Sequence, residues 1–192
     1  MSLRASQFFF LAQSISFLVA LSLHAALSVG QIYEFNFTDV DGHTLSTADG
    51  HVTVLVLAAT EDSLRVRAVA DRVPDYCLGN PSYRMITILN LTKKNTRIGR
   101  GIATILVRHR LNEEAKRLQA RYDAKKIARD ARRDAFAVAD FDGSIVSKLG
   151  GESTTFRVFA FGKNGELLRQ WDDIPAADDL AAVLKSAAPP ID

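Results

Sequence analysis

The side chain of this chain with the most reactive functional group is that of its only cysteine, Cys77. A single thiol excludes an internal disulfide, a CxxC redox pair and a zinc site built from several thiolates. Cys77 could act alone as a redox thiol or form a disulfide with a second molecule. Its sequence neighbours Tyr76 and Leu78 carry no positive charge that would lower its pKa. The sequence therefore favours a small, half-buried apolar side chain over a reactive thiol.

The histidines and their neighbouring aspartates offer few ligands for a metal. His43 and His51 flank a predicted turn, and Asp39, Asp41 and Asp49 lie close to them in the sequence. Their spacing matches no zinc pattern, and a calcium loop would need further ligands that are missing. The sequence therefore predicts a solvated turn, with no metal and no other cofactor.

The sequence motifs of several large enzyme classes are absent from the chain. It has no GxSxG, GxxxxGK[ST], HExxH or GxGxxG motif, which are typical of hydrolases, P-loop proteins, metalloproteases and dinucleotide-binding proteins. No Ser/His/Asp arrangement follows from the spacing either. We therefore expect no catalytic residue.

The first thirty residues have the layout of a secretory signal peptide. Arg4 and the amino terminus form a short positive region, residues 8–26 are nearly all apolar, and small residues around Ser28 could serve a signal peptidase. The alternative is an uncleaved amino-terminal anchor, because the apolar run approaches the roughly 20 residues that span a bilayer. We expect a periplasmic or secreted protein with a signal at 1–30, one domain at 31–192 and no later transmembrane segment.

Positive charge is concentrated in the segment 93–133. It holds fourteen Lys or Arg and four acidic residues, whereas the whole chain carries a net charge of +2. The segment could bind an anionic envelope component, such as lipid headgroups or a polymer, or an acidic protein. Alternatively, its charges could face the acidic remainder of the same domain. Nucleic acid is disfavoured after export, and the charges lack a pattern of interleaved aromatic residues that would stack on bases.

The hydrophobic pattern predicts alternating strands and helices. This order is typical of an α/β fold whose mixed sheet has a parallel half and an antiparallel carboxyl edge. Turn dipeptides, such as Asn164-Gly165, separate the elements. The predicted elements are a hairpin at 33–47, strands at 52–58, 83–91, 135–141, 155–161 and 166–171, a helix capped by Thr60 and ending at Pro74, and a closing helix at 176–187.

Residues 96–133 are mostly helical in composition, and we expect two helices or one bent helix. Ile98, Ile102, Ile105 and Leu106 begin an apolar stripe. The stripe changes phase near position 110, and the part that follows has few large apolar residues. This second part is therefore predicted to lie on the surface.

Several segments together resemble a known superfamily. Residues 37–45 (FTDVDGHTL) and 54–60 (VLVLAAT) match a leading hairpin and the strand that approaches an active site, and 150–156 (GGESTTF) matches a later strand. These features resemble the thioredoxin-like superfamily, in particular exported thiol oxidoreductases, peroxiredoxin-type proteins and YtfJ-type periplasmic proteins. The resemblance covers about residues 33–90 and 134–188. It implies a three-layer α/β sandwich around a mixed sheet of about five strands, with the basic helical segment inserted mid-chain.

The positions at which this superfamily places its redox machinery hold other residues here. A CxxC motif should begin about two residues after Thr60, where the chain has Asp62 and Ser63, followed by Arg65. The position of the superfamily's cis-proline aligns with Ser153. Carboxylates and hydroxyls cannot perform thiol exchange. The resemblance therefore implies former active-site positions that have lost the dithiol mechanism.

Two functions follow as hypotheses. The first is an exported, non-catalytic binding or scaffold protein of the cell envelope. The alternative is a thiol-dependent antioxidant or oxidoreductase that uses Cys77.

Overall fold

The computed structural model describes residues 27–150 and 156–187. Most of the signal region, Ser153 and the last five residues therefore lie outside the described residues. The strands are β1 (Asn36–Thr38), β2 (Thr44–Ser46), β3 (Val52–Ala58), β4 (Tyr83–Asn90), β5 (Ala135–Asp140), β6 (Arg157–Phe161) and β7 (Leu167–Trp171). The helices are α1 (Ser63–Arg72), α2 (Arg97–Ala124), α3 (Ser144–Lys148) and α4 (Ala177–Ser186), with 3₁₀ turns at Asp75–Cys77, Thr92–Lys94 and Ala131–Asp134.

The central sheet has five strands in the order β5-β4-β3-β6-β7. Strands β3, β4 and β5 are parallel, whereas β6 and β7 run antiparallel. The apolar, β-branched sequence of β3 places this strand at the centre, where all seven of its residues are buried. The predicted mixed sheet is therefore confirmed, with β1 and β2 forming the separate hairpin.

The alternation of side chains along β3 builds a core on each face of the sheet. Leu55 and Leu57 pack on the face covered by the β1–β2 hairpin and α3. Val54 and Val56 pack on the opposite face, where α1 and α4 contribute Val69, Leu180 and Leu184. This arrangement makes three layers, because both faces of the sheet must be shielded from water.

The chain that precedes the hairpin is also tied to the sheet. Leu27 is buried in the core, and the Gly30 N–H donates to the Leu167 carbonyl oxygen at 2.8 Å. At the Asn164-Gly165 turn, Gly165 has φ +83°, and a Cβ there would lie 2.6 Å from the Tyr33 carbonyl oxygen. Packing therefore begins at Leu27, four residues before the expected domain start at position 31. Glycine is required at position 165, where the turn meets the backbone of Tyr33.

Helix α1 begins later than predicted. The Thr60 hydroxyl donates to the Glu61 carboxylate at 2.7 Å instead of capping the helix. Asp62 is the residue before the first helical residue, and its side chain accepts from the Ala59 N–H at 2.9 Å. The prediction of a Thr60 cap is therefore wrong, because the four residues 59–62 form a tight connection between β3 and the helix.

Helix α2 is a single helix of 28 residues. The Thr96 hydroxyl caps its amino end by accepting from the Gly99 N–H at 3.0 Å. At its carboxyl end, Lys126 adopts φ +57°, and the Ile127 N–H donates to the Tyr122 carbonyl oxygen at 2.9 Å. This is a Schellman motif, in which the left-handed residue ends the helix. The chain therefore leaves the helix about nine residues before the predicted end at 133.

Candidate functional site

The turn between β3 and α1 holds the residues that the sequence resemblance assigned to a former active site, and Asp62 organises it. The Asp62 carboxylate accepts from the Ala59 N–H at 2.9 Å and from the Arg65 guanidinium at 3.1 Å. Its side chain is 14% exposed. Both carboxylate oxygens are therefore used to hold the turn and the first turn of α1.

Arg65 connects this turn to distant parts of the chain. Its guanidinium donates to Asp173 at 2.7 Å and lies 3.9 Å from the centroid of the Phe156 ring. The hydrogen bond to Asp173 is the main reason why the pKa of Arg65 is raised. Arg65 thus ties α1 to the residue that precedes β6 and to the segment after β7, which makes it a structural clamp.

The hydroxyls at this turn lack the partners of a nucleophile. Within the described residues, the Ser63 side chain has no hydrogen-bonded base. The Thr60 carbonyl oxygen accepts from Arg110 of α2 at 3.4 Å. A serine needs an adjacent base to become nucleophilic. The geometry therefore brings Thr60, Asp62, Ser63 and Arg65 together without forming a catalytic arrangement.

Cys77 lies at the opposite end of α1, in the 3₁₀ turn that follows the helix. The ten residues of α1 span about 15 Å, so the thiol is remote from the Asp62–Ser63 turn. Cys77 is 7% exposed and packs in the core cluster that contains Val69 and Leu184. Burial raises the pKa of Cys77 to about 12. The thiol is therefore almost fully protonated near neutral pH.

The hairpin brings together Asp39, Asp41 and His43, whose side-chain ligand atoms all lie within 4.8 Å of one another. Asp39 accepts from the backbone N–H groups of Asp41 (2.9 Å) and His43 (2.8 Å), and its second oxygen lies 2.9 Å from His43 Nδ1. Burial acts to raise the pKa of Asp39, but the hydrogen bonds from His43 outweigh it and the pKa is lowered. Asp41 forms ion pairs with Arg108 and Arg132. Turn and ion-pair contacts therefore account for the cluster.

His51 is not part of that cluster. Its Nδ1 lies 2.8 Å from the Asp49 carboxylate, which also binds Arg84 at 2.7 Å. The Arg84 guanidinium further donates to the Ser46 carbonyl oxygen. These contacts tie the second strand of the hairpin to β4, and His51 takes part in them through Asp49.

The second half of α2, residues 111–124, packs against the domain. Ala115 and Tyr122 are buried, contrary to the prediction that this part lies on the surface. The Tyr122 hydroxyl accepts from the Gly79 N–H at 2.9 Å and donates to Asp134 at 2.8 Å. Cations of this half and of the chain after it form ion pairs with acidic side chains: Lys116 with Glu113, Arg117 with Glu114, Arg121 and Lys125 with Asp75, Arg129 with Asp134, and Arg132 with Asp41.

The first half of α2, residues 97–110, presents a different surface. Its core contacts come from the small side chains of Ala103 and Val107. The predicted apolar stripe faces solvent, with Ile98 77%, Ile102 56%, Ile105 66% and Leu106 56% exposed. The stripe is therefore on the surface rather than in the core.

Four cations lie just before and within the first turn of α2, at the end of the helix where the stripe begins, and the Arg100 guanidinium lies 5.4 Å from the centroid of the Phe141 ring. Lys93, Lys94, Arg97 and Arg100 are all exposed. Among the described residues, none of these four cations has a carboxylate within 4.0 Å, and Arg100 bonds instead to the neutral Asn95 amide. We define the docking face as the four apolar residues of the stripe together with these four cations. It combines four exposed apolar side chains with four cations that, among the described residues, form no ion pair within 4.0 Å.

Among the described residues, no helix is both long enough and apolar enough to cross a membrane. No protein-family model matches the chain, and no curated protein sequence matches it.

Solved structures share its architecture. A thioredoxin candidate from Neisseria meningitidis has a TM-score of 0.51 at 13% identity, with 83% of this chain and 91% of that chain covered. A peroxiredoxin-like protein from Aquifex aeolicus has a TM-score of 0.52 at 14% identity, with 85% and 90% covered. The fold is thioredoxin-like. A DsbF homologue from Corynebacterium diphtheriae agrees, with a TM-score of 0.51, 13% identity and 91% and 99% covered. The thioredoxin-like fold predicted by the sequence resemblance is thereby confirmed.

Sequence reasoning missed the Arg65 clamp of this thioredoxin-like chain and anticipated the docking face only in part, as the whole basic segment 93–133. The Arg65 clamp joins residues 108 positions apart, and no local pattern signals such a contact. The docking face did have a signal, because an apolar stripe next to a cluster of cations is typical of interfacial helices. Its orientation, however, depends on which side of α2 meets β5.

Proposed function

We propose that this chain is an exported, non-catalytic thioredoxin-like binding module of the cell envelope, and that its docking face binds an anionic phospholipid bilayer. The observation that carries the proposal is the pairing of four exposed, large apolar side chains with four unpaired cations at one end of α2. The layout of residues 1–30 supports export.

The apolar part of the docking face has the geometry of an interfacial helix. Ile98, Ile102, Ile105 and Leu106 occupy positions i, i+4, i+7 and i+8, which lie on one side of a helix. The opposite side is held against β5 and its neighbours by buried Ala103 and Val107. The helix axis therefore lies parallel to any surface that the stripe contacts, as in helices that insert their apolar side between lipid headgroups.

The charges favour a bilayer over a second copy of the chain. Near an anionic leaflet, each Lys or Arg contributes about 1 kcal/mol to binding. Two docking faces paired with parallel helices would place Lys93, Lys94, Arg97 and Arg100 beside the same cations of the partner molecule. Antiparallel pairing would bring them towards the partner's Arg108 and Arg110. That like-charge contact is unfavourable.

The former active-site turn supports a role without thiol chemistry. Asp62 and Arg65 are occupied in the clamp that reaches Asp173. Cys77 is buried about one helix length away, and its raised pKa disfavours the thiolate that redox chemistry requires.

Binding to vesicles tests the docking proposal. Purified protein expressed from the full chain is incubated with phosphatidylglycerol or phosphatidylcholine vesicles, and the bound fraction is measured by sedimentation. We expect binding to anionic vesicles only, weakening as salt rises from about 50 to about 500 mM because ions screen the surface charge.

A matched pair of charge variants locates the contact. Replacing Lys93, Lys94, Arg97 and Arg100 with Gln should weaken binding by about tenfold or more. Replacing Lys116, Arg117, Lys125 and Lys126 with Gln removes the same net charge and should have little effect. Equal losses in both variants, or binding to neutral vesicles, would show that the docking face is not the contact.

A separate assay tests the thiol-dependent alternative. Disulfide-reductase and peroxidase activities are measured for the protein and for its Cys77→Ser variant. We expect neither protein to be active. Activity that disappears in Cys77→Ser would establish a one-cysteine enzyme and contradict the non-catalytic assignment.

A further inference from the structure

A cavity of about 680 Å³ lies between α1, α2 and the face of the sheet formed by β3, β4 and β5. Protein interiors rarely contain voids much larger than a water molecule, whereas pockets for small molecules measure about 300–1,000 Å³. The volume is therefore that of a ligand pocket. Apolar side chains from all three walls line it, including Val54, Val66, Met85, Leu111, Leu118 and Tyr122.

Arginine side chains, rather than apolar packing, join the two helices above this cavity. Arg67 of α1 forms an ion pair with Glu114 of α2. Arg121 of α2 donates to the carbonyl oxygens of Ala70 at 3.0 Å and Val73 at 3.3 Å. These contacts span the gap between α1 and α2, so that polar side chains lie above the apolar walls of the cavity.

One cation at the cavity lacks a charged partner. Arg110 is an exposed side chain that lines the cavity where Thr60 and Ser63 also contribute to its wall. Among the described residues, no carboxylate pairs with its guanidinium, which donates to the Thr60 carbonyl oxygen at the long distance of 3.4 Å. An anion at this end would gain a charge-assisted hydrogen bond.

We propose that the cavity binds a free long-chain fatty acid. The aliphatic chain lies among Val66, Met85 and Leu118, and the carboxylate lies against Arg110. A chain of methylenes suits the interior because apolar cavities exclude water and accept apolar ligands. A single anionic head suits the single unpaired cation.

This proposal is independent of the docking face. The cavity adjoins the core side of α2, through Val107 and Leu111, whereas the exposed stripe lies on the opposite side of the same helix. Failure of either proposal therefore leaves the other in place.

Displacement of a fluorescent fatty acid tests the binding. The purified protein is titrated with cis-parinaric acid, and palmitate is then added as a competitor. We expect saturable binding and full displacement by palmitate. An absence of saturable binding would overturn the proposal.

Two variants of α1 test whether the aliphatic chain of the fatty acid lies in the cavity. Val66→Phe fills part of the cavity and should weaken the binding of palmitate by about tenfold or more, because a misfit of one methylene in an apolar pocket already costs that much. Leu64→Phe adds the same ring at a position that is 73% exposed and does not line the cavity. This control should bind as the unsubstituted protein does. Equal affinity in both variants, at unchanged melting temperature, would contradict the assignment.

A third variant tests the position of the carboxylate. A competitor lipid tests whether the ligand is a free fatty acid or a lysophospholipid. Arg110→Gln should weaken the binding of palmitate about tenfold and leave that of methyl palmitate unchanged, since only the acid carries the charge. Lysophosphatidylglycerol should compete less well than palmitate. Equal effects of Arg110→Gln on acid and ester would overturn the head-group assignment, and tighter binding of the lysolipid would overturn the free fatty acid.

Discussion

The two halves of α2 share one helix and a similar density of positive charge, yet their surroundings differ. In residues 111–124, Ala115 and Tyr122 are buried and the cations have acidic partners. In residues 97–110, four large apolar side chains are exposed and the cations of the docking face are unpaired. Charge density alone therefore does not identify a binding surface. The absence of intramolecular partners is the more specific signal.

Arg108 belongs to the first half of α2, but like the cations of the second half it has an acidic partner. Its guanidinium pairs with Asp41 of the hairpin and donates to the Val40 carbonyl oxygen. Arg108 therefore fixes α2 against the hairpin turn. The contrast between the halves thus follows partly from Glu113 and Glu114 within the helix itself and partly from acidic side chains, such as Asp41 and Asp75, that the fold brings to it.

Removal of Tyr122 should have the largest effect on stability. Tyr122→Ala leaves a cavity and an unsatisfied Gly79 N–H, so we expect a loss of about 3–5 kcal/mol in the free energy of unfolding. Ile102→Ala in the first half should change it by less than about 0.5 kcal/mol, since this side chain is exposed. Chemical denaturation measures both. Similar losses would show that the stripe packs against the protein.

Substitution of the stripe should have the next largest effect, on binding rather than on stability. Ile102→Ser combined with Ile105→Ser should weaken binding to anionic vesicles by about tenfold, because two side chains lose their insertion into the bilayer. Leu64→Ser removes an exposed leucine from α1 and serves as the control. If the control variant lost as much affinity as the double variant, the apolar contribution would not be specific to α2.

Loss of the cap on α2 should have a smaller effect. Thr96→Ala removes the acceptor for the Gly99 N–H and should cost about 1 kcal/mol of stability. Thr104→Ala is the matched control, because its hydroxyl bonds to the Arg100 carbonyl oxygen within the helix. We expect hydrogen exchange to accelerate at the amino end of α2 in the first variant alone. Acceleration along the whole helix would indicate that its two halves unfold together.

Acid should reduce the local stability of residues 111–124 of α2 but not that of residues 97–110. This effect is the smallest that we expect. The hydrogen bond from Lys125 and the nearby Arg121 lower the pKa of Asp75 below its usual 3.8. The stabilisation is therefore complete above about pH 3.8 and is lost as the pH falls through the lower pKa of the folded state. Hydrogen-exchange protection near Arg121 should fall below that pH, and Asp75→Asn should reproduce the effect at neutral pH. An equal fall near Ile98 would contradict the contrast between the halves.

Most of the fold could be predicted from local patterns. The continuous apolar sequence of β3 identified the central strand, and the Asn164-Gly165 turn identified the hairpin between β6 and β7. The start of α1 was misplaced, because the Asp62 contact with the Ala59 backbone outcompetes Thr60 as a cap. The length of α2 depended on the left-handed Lys126, a conformation that lysine rarely adopts.

The candidate sites were harder to predict. The resemblance predicted that Thr60, Asp62, Ser63 and Arg65 lie at one turn. It did not predict the partner of Arg65, because Asp173 lies far away in the sequence. Likewise, helical periodicity identified the apolar stripe but could not tell which side of α2 meets the sheet. Both depend on tertiary packing, which local spacing does not encode.

Fluorescence quenching by brominated anionic lipids tests the central claim most directly. An indole is introduced by Ile102→Trp in the docking face or, as the control, by Ala120→Trp on the exposed surface of the second half, with the native Trp171 present in both. We expect strong quenching of the added emission only for Ile102→Trp, because only this indole would lie among the lipids. Equal quenching of both variants, or of neither, would contradict docking through the first half of α2.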